Sequence, residues 1–114
     1  MTITERRCGD LMVLDLSGAL VWPRVDRTLV DTVLRLVGGW HRIVINLAGV
    51  CSIDAAGIGI LVTAITRGRD AGGAIVLAGL CPHVREPIAV TGLLNVFETR
   101  DSVEACVACQ GALI

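Results

Sequence analysis

One stretch of sequence decides how the chain is interpreted, namely Asn46-Leu47-Ala48-Gly49-Val50-Cys51-Ser52-Ile53-Asp54-Ala55-Ala56-Gly57-Ile58-Gly59-Ile60-Leu61. It starts at the end of Ile43-Val44-Ile45-Asn46-Leu47, a nearly continuous apolar run typical of a central strand covered on both faces. A tight turn and a helix are predicted next, because Asp54 can accept hydrogen bonds from the free N–H groups of a first helical turn. Gly57 and Gly59 remove side chains there, so another surface could approach the backbone closely. Taken alone, these residues favour the plainer explanation that the cap and the glycines pack the helix onto the sheet.

Upstream of this stretch, the pattern predicts a hairpin and an amphipathic helix. Residues 3–8 and 11–17 are expected to form two short strands, joined by Gly9-Asp10 as a hairpin turn. The loop 18–23 then carries Trp22, and Pro23 suits the first turn of a helix. Apolar residues at every fourth position predict that helix, which Gly38-Gly39 should end; they are Val25, Leu29, Val33 and Val37.

Downstream, helices and strands are predicted to alternate to the end of the chain. The second helix should end at residues 71–73, followed by a strand over 74–78 and a third helix opened by Pro82. Pro87 lies inside that third helix and should shorten or kink it. The last predicted elements are a short strand at Val96-Phe97-Glu98 and a final helix capped by Asp101, with Glu104 at capping-box spacing.

The resulting order, β-β-α-β-α-β-α-β-α, predicts an α/β fold. Strands joined through helices pair in parallel, whereas the first hairpin adds an antiparallel strand at one edge. We therefore expect a mixed, mostly parallel sheet of about five strands with about four helices. The length of 114 residues suits one domain over 1–114.

Composition argues for a folded protein that does not bind nucleic acid. Apolar residues make up 54% and charged residues 18%, which argues against disorder. The net charge is −1, the basic residues are scattered arginines, and no basic stripe or aromatic ladder offers a nucleic-acid surface. The N-terminus lacks an apolar signal region, and the longest uncharged apolar stretch, 55–65, is far short of the roughly 20 residues that span a bilayer. The expectation is a soluble cytoplasmic protein without direct membrane insertion.

The cysteines and histidines do not suggest a reactive centre. Five cysteines without a signal peptide argue against a disulfide framework. Cys106 and Cys109 form a C-x-x-C without a second such motif, which favours two buried thiols on one helix over a redox or metal role. His41 and His83 lack a partnering nucleophile motif, so partly exposed surface histidines are expected.

Nucleotide-binding motifs are absent as well. Gly57-Ile58-Gly59 is a G-x-G, but Val62 occupies the position of the third glycine, and the chain has no lysine for a phosphate-binding loop. The sequence therefore predicts no catalytic residue, no metal site, no cofactor and no enzymatic activity.

Taken in order, the motifs of this chain resemble those of STAS domains over almost its whole length. Residues 9–18 are similar to the opening strands of the family, and 44–50 followed by 53–59 are similar to its signature turn. The later matching motifs are Gly72-Gly73, Ala78-Gly79-Leu80, Pro82, Val84-Arg85, Thr91-Gly92-Leu93, Val96-Phe97 and Asp101-Ser102. The resemblance is closest to bacterial anti-sigma factor antagonists, and it implies the STAS fold.

The resemblance also implies a partner and a switch, from which this chain departs. Such antagonists bind an anti-sigma factor, typically a serine kinase, and so free a sigma factor; the kinase phosphorylates a Ser or Thr just after the signature aspartate. Here that acceptor position is Ala55, followed by Ala56, and neither carries a hydroxyl. Ser52 and Thr63 are nearby but do not match the acceptor position. Phosphorylation at the usual position is therefore chemically impossible.

A second departure concerns the loop before the first helix. Some relatives carry acidic residues there that contact the kinase, whereas Gly18-Ala19-Leu20-Val21 is apolar. The adjacent Trp22 is either an interface anchor or a side chain folded over the sheet edge.

These observations lead to a hypothesis of an antagonist that phosphorylation does not switch. Its expected partner-binding residues are Trp22, Ser52, Asp54, Ala55, Ala56, Gly57, Ile58 and Gly59. One alternative is a STAS subunit of a membrane lipid or anion transport system that docks on an ATPase. Another is a scaffold module of a signalling assembly. The oligomeric state stays open, a homodimer included.

Overall fold

In the part of the chain that the structure describes, five strands form one mixed sheet in the order in which they occur. The structure is a computed structural model, and it describes residues 1–23, 27–40, 42–92, 98–100 and 102–104. The strands are β1 (Thr2–Cys8), β2 (Leu11–Leu20), β3 (Arg42–Ile53), β4 (Ala74–Ala78) and β5 (Thr99–Arg100), and the helices are α1 (Thr28–Val37), α2 (Ala55–Asp70) and α3 (Pro82–Val90). β1 pairs antiparallel with β2, and the other neighbours pair in parallel. The prediction of a mixed, mostly parallel α/β sheet is confirmed.

The first hairpin closes at Gly9-Asp10, as predicted. Cys8 lies opposite Leu11, so the loop has two residues. Gly9 has a φ of +60°, whereas Asp10 stays outside the positive-φ region. A positive φ at the first central residue alone is the II′ geometry, which matches the twist of the flanking strands.

The central strands β2 and β3 are longer than the sequence predicts. Residues 18–20 were expected in a loop and residues 48–53 in a turn, but both segments are strand. They pair with each other up to Leu20 opposite Ile53, with two register shifts on the way. Pairing of β3 with β4 stops earlier, at Asn46 opposite Ala78. Pairing of β1 with β2 ends at Thr2 opposite Ser17, so beyond Ser17 β2 and β3 continue as a two-stranded extension.

The ends of α1 and α2 follow the predicted stop signals, whereas the start of α1 differs from the prediction. α1 begins at Thr28, not at Pro23, which lies in a turn; Val25 falls outside the described residues. Gly38 ends α1, and Gly72 follows α2 with a φ of +96°, a conformation that glycine adopts without strain.

α3 begins at Pro82, as predicted, and runs through Pro87 to Val90. The N–H that Pro87 lacks would bond the carbonyl of His83, one turn earlier. Since His83 is exposed, water can satisfy that carbonyl. Val84 and Ile88, both fully buried, meanwhile hold the helix on the sheet.

The last strand lies later than predicted. β5 is Thr99–Arg100, because those residues lie in register with Leu77 and Ala78 of β4. Of the predicted strand, Glu98 precedes β5, and its carbonyl accepts a hydrogen bond from Leu77 at 2.9 Å. Several predictions fall outside the described residues, namely those on Val96, Phe97, Asp101, Cys106, Cys109 and His41.

The three helices cover one face of the sheet. Right-handed crossovers between neighbouring parallel strands place successive helices on the same side. The main core holds their buried faces together with alternate strand residues such as Leu14, Ile45 and Leu77. The opposite face carries a smaller cluster of Leu11, Val13, Val44, Ala78 and Val103. Val103 and Glu104 have helical backbone, where the fourth helix is predicted.

Candidate functional site

The two-stranded extension of β2 and β3 places the start of α2 beside the loop that carries Trp22. At its tip, the N–H of Asp54 donates to the carbonyl of Leu20 at 3.3 Å. Helix α2 begins at the next residue, Ala55, so no separate turn intervenes between β3 and α2. Two segments about thirty residues apart in the chain therefore meet at the Asp54 side chain.

Asp54 caps α2, as predicted, and it also holds the Trp22 loop. Its Oδ1 accepts a hydrogen bond from the backbone N–H of Gly57 at 3.0 Å. Its Oδ2 accepts one from the backbone N–H of Trp22 at 2.9 Å. The two N–H donors, from Gly57 first and Trp22 second, hold the pKa of the Asp54 carboxyl below its ordinary value. The carboxylate is consequently ionised at neutral pH and fully engaged within the chain.

The predicted site residues divide into exposed and buried groups. Ser52, Ala55 and Gly59 are exposed, and Asp54 and Ala56 are partly buried. Gly57 is buried, and Ile58 is only 7% exposed. The accessible part of the predicted site is therefore the outer side of the first turns of α2.

Gly57 and Gly59 have different structural roles. A Cβ at Gly57 would overlap the carbonyl oxygen of Leu20 and lie 2.8 Å from Cγ1 of Ile53. The close approach that Gly57 permits is thus made by the chain's own strand β2. A Cβ at Gly59 would meet nothing within 4 Å, so this glycine leaves open surface.

Trp22 points into solvent, with 73% of its surface exposed. Of the two readings of this residue, folding over the sheet edge does not fit such exposure. Among the described residues, the other large apolar side chain with high exposure is Val90, at 82%, at the end of α3. Large exposed apolar side chains close to a groove are typical of protein interaction surfaces.

An apolar groove of about 510 Å³ separates α2 from α3 beside this surface. Its lining includes Asp54, with Ala55, Ile58, Gly59, Val62 and Thr63 from α2, Pro87 from α3, and Thr91, which directly follows α3. Sequence reasoning found the α2 residues up to Gly59 but missed the rest of this lining. The missing signal is the proximity of α3, which depends on where β4 and β5 pair in the sheet.

Three residues near the first turns of α2 carry hydroxyl groups, namely Ser52, Thr63 and Thr91. Thr63 donates to the carbonyl of Gly59 at 2.8 Å, and Thr91 donates to that of Ile88 at 2.6 Å. Ser52 is exposed but lies on β3 opposite Ala19, before the helix begins. Position 55, the first residue of α2, carries a methyl group.

Within the described part of the chain, no three His, Cys, Asp or Glu side chains are grouped as metal ligands would be. His83 is exposed, as predicted for a surface histidine. Cys8, Cys51 and Cys81 are free thiols.

The match to known families agrees with this architecture. The family model of the STAS domain matches residues 3–106. The chain belongs to the STAS domain family. BtrV of Bordetella bronchiseptica, a protein assigned as an anti-sigma factor antagonist, is 26% identical over 108 residues, covering 95% of this chain and 93% of BtrV.

Solved structures show the same STAS fold. An anti-sigma factor antagonist from Mycobacterium paratuberculosis superposes with a TM-score of 0.79 at 20% identity, covering 95% of this chain and 92% of the other. A sulfate transporter family protein from Wolinella succinogenes superposes with a TM-score of 0.73 at 13% identity, covering 93% and 88%. Similarity at these identities establishes the fold, and the function has to be argued from the residues of the site.

Within the described ranges, no helix of this STAS domain combines the length and the apolar character that crossing a membrane demands.

Proposed function

We propose that this STAS domain is an anti-sigma factor antagonist. It binds an anti-sigma factor of the serine kinase class through Trp22, the exposed residues of the segment from Ser52 to Gly59 around the start of α2, and the α2–α3 groove. The observation that carries the proposal is the joint placement of an exposed tryptophan and an apolar groove around the signature aspartate. The sequence relative assigned as an antagonist supports the same class of function.

The composition of this surface suits protein binding. Interfaces are enriched in aromatic residues and depleted of charge at their centre. Trp22 supplies the aromatic anchor, and the groove is lined by apolar and small side chains, with Asp54 as its charged residue. Because both Asp54 oxygens already accept backbone hydrogen bonds, that charge needs little compensation from the partner.

The site stays competent for binding, because position 55, where the family carries its acceptor, has no hydroxyl group. A phosphate adds about −1.5 to −2 charges, which at position 55 would lie beside ionised Asp54 and inside the interface. With Ala55 in that position, the kinase has no hydroxyl to modify there. Regulation then depends on the abundance of the antagonist or on the partner. The chain acts as a binding module without catalytic activity.

The test uses purified protein with kinase-type anti-sigma factors from the same genome. Complex formation is followed by calorimetry, and modification is followed by intact mass in the presence of ATP and Mg²⁺. We expect a stable complex and no added phosphate. The matched variant Ala55→Ser should gain one phosphate and then lose the complex, because the anion enters the interface.

Two results would refute the proposal. One is a phosphate on the unmodified chain, for example at Ser52. The other is the absence of binding to every such anti-sigma factor, with circular dichroism showing the chain folded.

A second candidate function is favoured by the fold shared with the Wolinella succinogenes protein. In that case the same surface docks on an ATPase subunit of a membrane transport system. Binding to a purified ATPase subunit, with no binding to anti-sigma factors, would favour this candidate. Trp22→Ala should weaken either complex, so the identity of the bound partner is the discriminating result.

A further inference from the structure

The outer edge of β1 is a regular strand edge that carries no partner in the described part of the sheet. β1 occupies one end of the strand order, and its register with β2 runs from Thr2 to Cys8 without a bulge. In a two-residue hairpin the residues flanking the turn form a hydrogen-bonded pair, here Cys8 with Leu11. Even-numbered residues of β1 therefore bond to β2. Odd-numbered residues direct their N–H and C=O groups to the open edge.

Charged side chains often protect such an edge, but those of β1 are held by contacts above and below the sheet. On the helix face, Glu5 accepts a hydrogen bond from Arg35 of α1, and the guanidinium of Arg7 lies 5.2 Å from the ring centroid of Trp40. On the opposite face, Arg6 is paired with Asp15. β1 also contains no proline and no bulge, which are the other common edge blocks. The backbone groups of this edge are consequently accessible to another strand.

We propose that a second copy of this chain pairs with the edge, β1 against β1 in antiparallel orientation, and so joins two sheets into one. The occupant is argued from charge complementarity. A two-fold axis at Arg6 places Glu5 of each copy directly opposite Arg7 of the other, twice, on the helix face. On the opposite face it brings the two Arg6 side chains together, and the Asp15 that pairs with each of them offsets their repulsion. Glu5 and Arg7 are both outward-bonding residues, so these two pairs can each exchange two backbone hydrogen bonds.

Cys8 allows this register to be tested by cross-linking. The register places Thr4 opposite Cys8 of the other copy, in a pair that is not hydrogen-bonded. Such pairs bring the two Cα atoms to about 4.5 Å, a distance that a disulfide can bridge. Within one chain, Thr4 and Cys8 lie four residues apart along the strand, about 14 Å, so they cannot be joined. A disulfide between these positions therefore has to connect two copies.

The test is oxidative cross-linking of Thr4→Cys, followed by peptide mass mapping. The oxidant is diamide, which takes up the two protons and two electrons that two thiols release on forming a disulfide. We expect a covalent dimer linked between position 4 and Cys8. The matched control Thr2→Cys reports on a register shifted by two residues, which would put Glu5 opposite Glu5, and it should give little linkage to Cys8.

Charge reversal tests the same contact without cysteine chemistry. Glu5→Arg and Arg7→Glu each create like-charge pairs across the axis, so each should raise the dimer dissociation constant about tenfold. The double variant restores opposite charges and should return to within about threefold of the unmodified chain. Glu5→Pro removes an outward N–H that β2 does not use, so it should abolish the dimer while circular dichroism shows the fold retained.

Sedimentation measures the unmodified chain and the four variants. A dimer that each single charge reversal weakens about tenfold and that the double variant restores supports the proposal. A chain that stays monomeric at all concentrations would overturn it. A dimer unaffected by Glu5→Pro, or linkage from Thr2→Cys in place of Thr4→Cys, would overturn it equally. None of these results depends on the proposed anti-sigma factor partner.

Discussion

The same substitution at two glycines of α2 should change stability in opposite directions. Gly57 and Gly59 lie two residues apart in the first turns of the helix, and each can be replaced by alanine. In a helix, alanine is favoured over glycine by about 1 kcal/mol, because glycine loses more backbone freedom on folding. At Gly59 an added Cβ meets nothing within 4 Å, so Gly59→Ala should stabilise the fold by about 0.5–1 kcal/mol.

At Gly57 the added methyl group has no room. It would overlap the carbonyl oxygen of Leu20 and approach Cγ1 of Ile53 to 2.8 Å. The carbonyl belongs to the backbone of β2 and accepts the hydrogen bond from Asp54, so no change of rotamer relieves the overlap. Overpacking of this kind costs about 1–3 kcal/mol, and the upper end applies against backbone. After the gain in helix propensity, Gly57→Ala should destabilise the protein by about 2 kcal/mol.

Urea unfolding followed by circular dichroism measures both variants. The midpoints should move in opposite directions with an unchanged slope, since the surface exposed on unfolding stays the same. The difference of about 2.5–3 kcal/mol corresponds to a separation of more than about 10 °C in Tm. If Gly57→Ala were as stable as the unmodified chain, α2 would not start against β2, and the geometry described for the site would be incorrect.

Three further results are expected. Trp22→Ala should weaken binding of the anti-sigma factor about thirtyfold, because an interface anchor is lost, and should change the urea midpoint little. The matched control is Trp40→Ala, at the partly buried tryptophan, which should lower the urea midpoint and leave binding unchanged. The free energy of unfolding of the unmodified chain should exceed that of Asp54→Ala by a constant amount above about pH 5 and by less below about pH 4. The pKa of Asp54 is lowered in the folded chain, so its carboxylate stabilises the fold, and this contribution is lost when the carboxylate is protonated. Urea titrations at pH 7 and pH 3 measure the difference, and a difference independent of pH would contradict the capping role. Ala55→Ser should remain unmodified in ATP alone and gain phosphate only with the kinase, as read by intact mass, and a phosphate appearing on any other residue would contradict the assignment of position 55.

Asp15 illustrates how the second face of the sheet is held together. Partial burial raises the pKa of its carboxyl, but hydrogen bonds from Arg6 and from Asn46, the latter at 2.7 Å, outweigh burial and lower it. Asn46 in turn accepts from the N–H of Ala48 at 3.1 Å. This network links β1, β2 and β3 on the face opposite the helices, at the level where the pairing of β3 with β4 ends.

Local signals in the sequence were sufficient to predict most of the helices and strands. The Gly9-Asp10 turn, the buried run at 43–47, the Asp54 cap and the glycine stops after α1 and α2 were all predicted correctly. Each of these signals depends on the chemistry of a few adjacent residues, such as a positive φ or a free helical N–H group. The order of the signature motifs was enough to predict the family.

The tertiary structure alone decided how far the elements extend and what the site contains. β2 and β3 reach Leu20 and Ile53 because they pair with each other. Pairing between distant segments cannot be predicted from a few adjacent residues. For the same reason the second acceptor bond of Asp54, from Trp22, and the α3 wall of the groove were missed. For Gly57 the sequence left two explanations open, the approach of a partner or packing of the helix onto the sheet, and the structure shows the space occupied by Leu20. Hydrogen-bond chemistry within a turn is local, but the identity of the neighbour across a gap depends on the whole fold.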